Sequence, residues 1–512
     1  MTSGSLSVLQ GRGGAEDHFG SEPPLFFGDL NLDQVVNGIS GRCSSHEVAP
    51  FFFHSLASLG EIRYRQEVFR DLERSEVFDA VSRFCSSMRV VMSDLEQSNK
   101  LYNLRQRQRW FIDSAGVYSK AVSAFDRDLR GISLESVGLK NIADHLSRYV
   151  DSKDFTSLRS EAEKLQAEFS EVRYNLLIKA NKITVTGFDG EEDFGSRVEE
   201  TFQRFAQVAG RDYRVKYASW PDMNRVEEEI LEIVVRMHPG VFEAAAGFSA
   251  RHSGFIDNIL ATFDHEVQFY LAYIHQMREL ERLGLGFCYP LLSGDKKEFY
   301  VSGGFDLALA QKLAREGKAP VRNDYELGPG ERIIVVSGPN SGGKTTYARA
   351  FGQINYLASL GCPVPARRAE LFFCDQIFTH FEIEEDLDNL RGKLEDELVR
   401  IHGILGKATG RSLIIMNESF GSTASGDAMI LGRAVLSQIA ELGATCVCVT
   451  FIDELSRISQ EIVSVVAKVL PDDPGVRTFE MEARPADGQA YASAISDKYG
   501  LSYESVMGRM RK

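Results

Sequence analysis

The chain has 512 residues, 43% of them hydrophobic and 26% charged, which marks ordinary globular protein with core material for roughly two to four domains. A formal net charge of −15 excludes a surface that coats nucleic acid nonspecifically and leaves room for a local basic face, because phosphate contacts need only a few placed Lys and Arg. Seven cysteines without a Cys-x-x-Cys pair, no apolar run long enough to cross a bilayer and no signal-peptide pattern point to a reduced cytoplasm (the nucleoid, in a bacterium), with no structural zinc and no membrane partner.

Residues 1–22 are rich in Gly and Ser, and the first 24 are expected to form a disordered tail. Apolar content resumes at Leu25-Phe-Phe-Gly-Asp-Leu-Asn-Leu-Asp33, where Asp33 begins a helix through Val35 and Val36. From about residue 61 to 170 the pattern is helical. Ile62, Gln66, Phe69 and Leu72 share one face, and Leu158, Ala162, Leu165 and Phe169 another. These place a mainly helical domain at 25–171. Arg105 to Arg109 form a basic cluster beside Trp110 and Phe111, read as a solvated helix face in preference to a phosphate contact.

At 172–188 the character changes. Val172-Arg-Tyr-Asn-Leu-Leu-Ile-Lys179 and Lys182-Ile-Thr-Val-Thr186 are strand-like and joined through Ala180-Asn181 as a hairpin. Lys179 and Lys182 flank its tip. They are candidates for nucleic-acid phosphates, and a solvated hairpin is an equal alternative. An acidic stretch at 189–193 and a helical one at 197–208 follow, within a segment bounded at 172–215. Helical sequence occupies 216–299; between 224 and 283 it is interrupted once, at Pro239-Gly240. Phe263, Val267, Tyr270, Leu271 and Ile274 form its apolar face, and His265 beside it reads as a structural histidine.

From about residue 300 the pattern is α/β. Strand-like runs at 332–337, 369–374, 412–416 and 445–450 alternate with helical segments, which predicts a parallel sheet with helices on its faces. Cys446 and Cys448 alternate inside the last run as small strand residues. Ligand is expected at the carboxyl ends of such strands. One of them runs directly into Gly338-Pro-Asn-Ser-Gly-Gly343-Lys344-Thr345-Thr346, with helix-compatible sequence after it. Gly338, Gly343, Lys344 and Thr345 have the phosphate-loop spacing. Glycines let backbone N–H groups point into one concavity, and the helix N-terminus adds positive potential. Gly338, Pro339, Asn340, Ser341, Gly342, Gly343 and Thr346 then form the cradle of ATP, Lys344 reaches the β- and γ-phosphates, and the Thr345 hydroxyl ligates Mg²⁺. A second apolar strand, Leu413-Ile-Ile-Met416, runs into Asn417-Glu418. In such sites the strand-end acid organises water on Mg²⁺ and the next carboxylate polarises the attacking water. Glu418 fits the second role. Asn417 is an amide where Asp is usual; it accepts from a metal-bound water without a charge, so weaker Mg²⁺ binding and slow hydrolysis are expected.

These residues resemble the MutS mismatch-repair family. The loop is similar to that family's Gly-Pro-Asn-x-Gly-Gly-Lys-Ser-Thr. Gly361-Cys-Pro-Val-Pro-Ala366, Asp375-Gln-Ile-Phe-Thr379, Asn417-Glu-Ser-Phe-Gly-Ser-Thr423 through Asp427-Ala428, and Thr450 through Glu454-Leu455 stand where its further motifs stand. Upstream, Tyr64-Arg-Gln-Glu-Val-Phe-Arg-Asp-Leu72 looks like the opening of its helical core, and Arg322-Asn-Asp324 like the lead into its ATPase domain. The resemblance implies an α/β P-loop ATPase domain of ABC type at 300–512 and an elongated, mainly α-helical core and lever domain. It makes 172–215 a small clamp-like insertion and 216–299 the lever's return. It also implies a branch without the mismatch-reading and connector domains, acting as a homodimeric clamp on double-stranded or structured DNA with ATP and Mg²⁺ as cofactors. Two rival readings are a clamp on ribosomes or structured RNA and a nucleotide-gated scaffold that hardly turns over.

Three departures stand out. Asn417 replaces Asp, Phe451 stands where the family has a His that senses the γ-phosphate, and Gly392-Lys393 stands where it has Ser-Thr. The resemblance puts Lys393 at a helix start facing the partner subunit's γ-phosphate, with Leu394, Leu398 and Ile401 as the buried stripe. The alternative is an exposed lysine paired with Glu397.

Overall fold

The computed structural model describes residues 6–12, 22–41, 47–190, 222–382, 392–421, 423–470, 473–486 and 507. Composition predicts disorder throughout the first 24 residues, yet Leu6–Ser7 (β1) and Gly11–Arg12 (β2) pair as a small antiparallel turn. The ordering groups lie far away in sequence. The Glu266 carboxylate accepts from Ser7 Oγ at 2.8 Å and from the Val8 N–H at 2.8 Å. Tyr270 donates to the Val8 carbonyl at 2.6 Å, and Arg65 Nε to the Leu9 carbonyl at 2.9 Å. Val8 and Leu9 are buried. Leu32–Ser40 (α1) and Leu59–Glu73 (α2) follow. Ser58 and Glu61 form a capping box at the start of α2, and its predicted face of Ile62, Gln66, Phe69 and Leu72 is buried.

The chain divides into two compact units, one of Met1–Arg74, Glu135–Leu139 and His265–Lys512, the other of Ser75–Leu134 and Lys140–Asp264. The second unit is built on Ser75–Lys100 (α3), Leu104–Arg130 (α4), most of Val137–Val150 (α5) and Lys153–Glu171 (α6). Phe84 stacks on Phe125 at 4.5 Å between ring centroids, and Phe125 on Phe263 at 5.8 Å. The basic cluster is a helix face: Arg109 pairs with Asp113 at 2.7 Å and covers the Phe169 ring.

The hairpin forms as the alternation predicts, from Tyr174–Lys179 (β3) and Lys182–Gly187 (β4). Ala180 takes φ 52° in its turn. Leu176 opposes Val185 and Ile178 opposes Ile183 on one face; Leu177 with Thr184 and Lys179 with Lys182 lie on the other. The helix expected at 197–208 lies outside the described residues. Arg225–Met237 (α7), Pro239–Arg251 (α8) and Asn258–Glu281 (α9) then break the helical stretch twice, not once. The second break is made by Asp257, which accepts from the Leu260 N–H at 2.9 Å and pairs with His145 at 2.9 Å. In the first unit, Val267, Tyr270, Leu271 and Ile274 of α9 are buried, and His265 lies against Phe51 at 5.0 Å, a structural role.

The rest of the first unit runs through Leu291–Ser293 (β5), Phe299–Gly304 (β6), Leu307–Ala314 (α10), Asn323–Leu327 (β7), Ile333–Ser337 (β8) and Lys344–Ser359 (α11). Arg368–Phe372 (β9), Ile377–Phe381 (β10), Lys393–Lys407 (α12), Leu413–Asn417 (β11) and Ser425–Leu442 (α13) follow, then Thr445–Val449 (β12), Ile462–Leu470 (β13) and Asp473–Ala483 (β14). The strand expected at 369–374 joins a different sheet from the one predicted. As β9 it lies in the order β5-β9-β6-β7, parallel to β5 and antiparallel to β6. An apolar run identifies a strand but not its neighbours. The other sheet has the order β10-β11-β12-β8-β13-β14. It is parallel through β13, and β14 returns antiparallel. Ile333, Val335, Ile414, Met416, Cys446 and Cys448 build its core against Leu436 and Ile439 of α13. Among the described residues no helix is long and apolar enough to cross a membrane.

Candidate nucleotide site

Every residue of β8 is buried, so the strand is a fixed base for the loop that leaves it. At Gly338 the chain turns with φ 118°, and a Cβ there would stand 3.0 Å from Ala467 Cβ and 3.1 Å from Ala467 N. Gly343 caps α11 at φ 92°. Both positions exclude an ordinary side chain. Ser341, without that freedom, takes φ 58°, as do Glu418 at 55° and Phe420 at 63° on the facing loop. Such strain clusters where function fixes the backbone.

Lys344 opens α11 and is 4% exposed. Its Nζ donates to the carbonyls of Gly338 at 2.9 Å and Pro339 at 3.1 Å. The Phe451 ring centroid lies 4.5 Å from Nζ, a cation–π contact where the resemblance puts a His. Burial pushes the ammonium below the usual lysine range; Glu418 and Asp453 act against that shift, and Arg477 adds to it. Thr345 Oγ1 donates to Asn417 Oδ1 at 2.9 Å. Two hard oxygens thus meet beside the loop, a donor set that fits Mg²⁺, which takes oxygen ligands and keeps several waters. Asn417 ends β11, and the next residue, Glu418, is anchored by its N–H on the Val449 carbonyl at 2.9 Å. The anchoring continues along the loop, where the Phe420 N–H reaches the Glu397 carboxylate at 3.0 Å.

A cavity of about 660 Å³ opens on this arrangement. Ser341, Gly342, Gly343, Lys344, Thr345, Thr346 and Glu418 line one end, so the residues predicted from the two strand ends converge. Leu309, Leu313, Pro320 and Val321 line an apolar end, and Phe479 reaches in from β14. Such a cavity suits a ligand with a charged head and a planar body. The motif reading missed this apolar end and the β14 residues. The only available signal was the alternation of the two strands at the sheet's edge, which carries no mark of a site.

Lys393 does not line the cavity. It opens α12 behind Gly392, as predicted, and its ammonium pairs with Glu382. The alternative pairing with Glu397 is replaced, since Glu397 is engaged by Phe420. In the predicted stripe Ile401 is buried, Leu394 partly so, and Leu398 is exposed. Lys179 and Lys182 sit exposed at the hairpin tip in the other unit.

Residues 334–500 match the family model described as MutS domain V. The DNA mismatch repair protein MutS of Synechococcus sp. (strain WH7803) is 34% identical over 225 residues, 44% of this chain and 24% of that protein. MutS 2 of Halobacterium salinarum is 30% identical over 319 residues, 61% of this chain and 34% of that protein. MutS of Caldicellulosiruptor bescii is 24% identical over 386 residues, 72% of this chain and 41% of that protein. The matched stretch is thus less than half of each relative's length. The loop, the facing strand end and these matches agree: residues 334–500 form a domain of the MutS domain V family.

Proposed function

We propose that the chain is an ATPase that couples ATP binding and hydrolysis to closure of a homodimeric clamp on double-stranded or structured DNA. The observation that carries the reading is the meeting of Lys344, Thr345 and Glu418 in one cavity, with Asn417 hydrogen-bonded to Thr345 at 2.9 Å. The backbone of 338–343 receives the phosphates, and Lys344 exchanges its loop carbonyls for phosphate oxygens. Glu418 orients the attacking water and takes its proton. Mg²⁺, when bound by Thr345 and through water by Asn417, supplies neutralisation of phosphate charge. DNA as the substrate draws support from the relatives named as DNA mismatch repair proteins, and from Lys179 and Lys182 on the polar face of the hairpin.

The scaffold reading draws on a specific observation too: Asn417 carries no charge and Phe451 covers Lys344. Phosphate release by the purified chain, with and without duplex DNA, branched DNA and RNA, tests both. DNA-stimulated release supports the clamp ATPase; stimulation by RNA alone moves the substrate class, and no release under any condition leaves the scaffold. Replacing Lys179 and Lys182 with Ala is expected to lower the salt slope of DNA binding by about two.

A further inference from the structure

The strands β13 and β14 wrap one side of the phosphate loop. Ala467 of β13 lies directly behind Gly338. On β14, Arg477 donates Nε to the Asn340 carbonyl at 3.2 Å. Two residues on, Phe479 takes φ 61° and lies 3.4 Å from where a Cβ of Gly343 would stand. Asn323 holds this stretch, donating to the Phe479 carbonyl at 3.1 Å and accepting from the Met481 N–H at 2.7 Å. The strand thus places Arg477 beside the loop, and its side chain reaches the Asn340 carbonyl.

The charges around Lys344 explain what such a residue does there. Glu418 and Asp453 act on it as anions, Arg477 as a cation, and Asn417 is neutral. A triphosphate brings several negative charges into a site whose side chains otherwise offer one ammonium against two carboxylates. A guanidinium presents a planar fork of donors, and Arg477 places its Nε on the Asn340 carbonyl of the phosphate loop.

We propose that Arg477 contacts the γ-phosphate in the same subunit and supplies a positive charge that Phe451 does not. The proposal rests on the nucleotide reading above. It makes Arg477 a group that distinguishes triphosphate from diphosphate.

Calorimetric binding of ADP and of the non-hydrolysable imido analogue of ATP to the full chain tests it, using Arg477→Ala, Arg477→Gln and Lys344→Ala, each checked for an unchanged thermal midpoint. Arg477→Gln keeps a donor for the Asn340 carbonyl and loses the charge. Both Arg477 variants are expected to weaken the triphosphate analogue by about 10–100-fold, the value of one charged hydrogen bond, and to leave ADP nearly unchanged. Equal losses for both nucleotides, or wild-type binding by Arg477→Gln, overturn the proposal and make Arg477 a support for the loop. If Lys344→Ala binds both nucleotides like wild type, the phosphate-loop reading itself falls, and that result is separate from any behaviour of Arg477.

Discussion

Asn417 shows how much one atom decides at the residue scale. Its amide oxygen accepts from Thr345 at 2.9 Å, the geometry a carboxylate would use, without the charge. Asn417→Asp is therefore expected to tighten Mg²⁺ by roughly tenfold, read as a leftward shift in a Mg²⁺ titration of nucleotide binding. An unmoved titration contradicts the assignment. His380, on β10, makes a second residue-scale prediction. It is 1% exposed, and its Nδ1 has no hydrogen-bond partner among the described residues. Burial, with Arg400 adding and Asp396 opposing, pushes its pKa down to about 4. Below the unfolded value near 6.5 the unfolded chain takes up a proton that the folded chain refuses. Stability is thus full above pH 6.5 and falls as pH drops toward 4, by up to about 3 kcal/mol. Urea denaturation at pH 7 and pH 5 should show this loss in wild type and a smaller one in His380→Asn. Equal losses in the two proteins would show that His380 ionises without penalty. The phosphate loop was legible in the sequence because its φ values and close contacts demand glycine at fixed positions. Arg477 and Phe479 were not, because only the pairing of β13 with β14 brings them to the loop.

At the scale of elements, the N-terminal turn shows what composition conceals. Ser7, Val8 and Leu9 satisfy two buried charged side chains, Arg65 and Glu266. Arg65 also donates to the Leu360 carbonyl at 3.1 Å, immediately after α11 ends. The turn thus supports the far end of the helix that begins at Lys344. Deleting residues 1–12 leaves both charges without these partners and is expected to cost about 3 kcal/mol or more, measured by denaturant unfolding. A deletion that unfolds at the wild-type midpoint would show that the turn is an ornament on an already stable core. The hairpin β3–β4 was readable from strict alternation and a two-residue turn. The sheet joined by β9 was not, since its register with β5 and β6 is a property of segments far apart in the chain.

At the scale of the whole molecule, the proposed dimer shares each ATP between subunits, with Lys393 at the start of α12 facing the partner's γ-phosphate. Lys344→Ala and Lys393→Ala should each be inactive alone, and a mixture should recover activity, because a heterodimer retains one intact composite site. Full activity of Lys393→Ala alone, or a dead mixture in which heterodimers demonstrably form, contradicts the role in trans. In a single subunit Lys393 pairs with Glu382, so this role depends on that ion pair opening as the dimer closes.

The central claim is that this cavity binds ATP and that Glu418 drives its hydrolysis. The most direct measurement follows labelled ATP on wild type and Glu418→Gln, counting bound nucleotide and released phosphate in the same reaction. The account predicts that both proteins bind ATP, that wild type releases phosphate, and that Glu418→Gln retains ATP uncleaved, with turnover reduced by about a hundredfold or more. Equal turnover in the two proteins would contradict it.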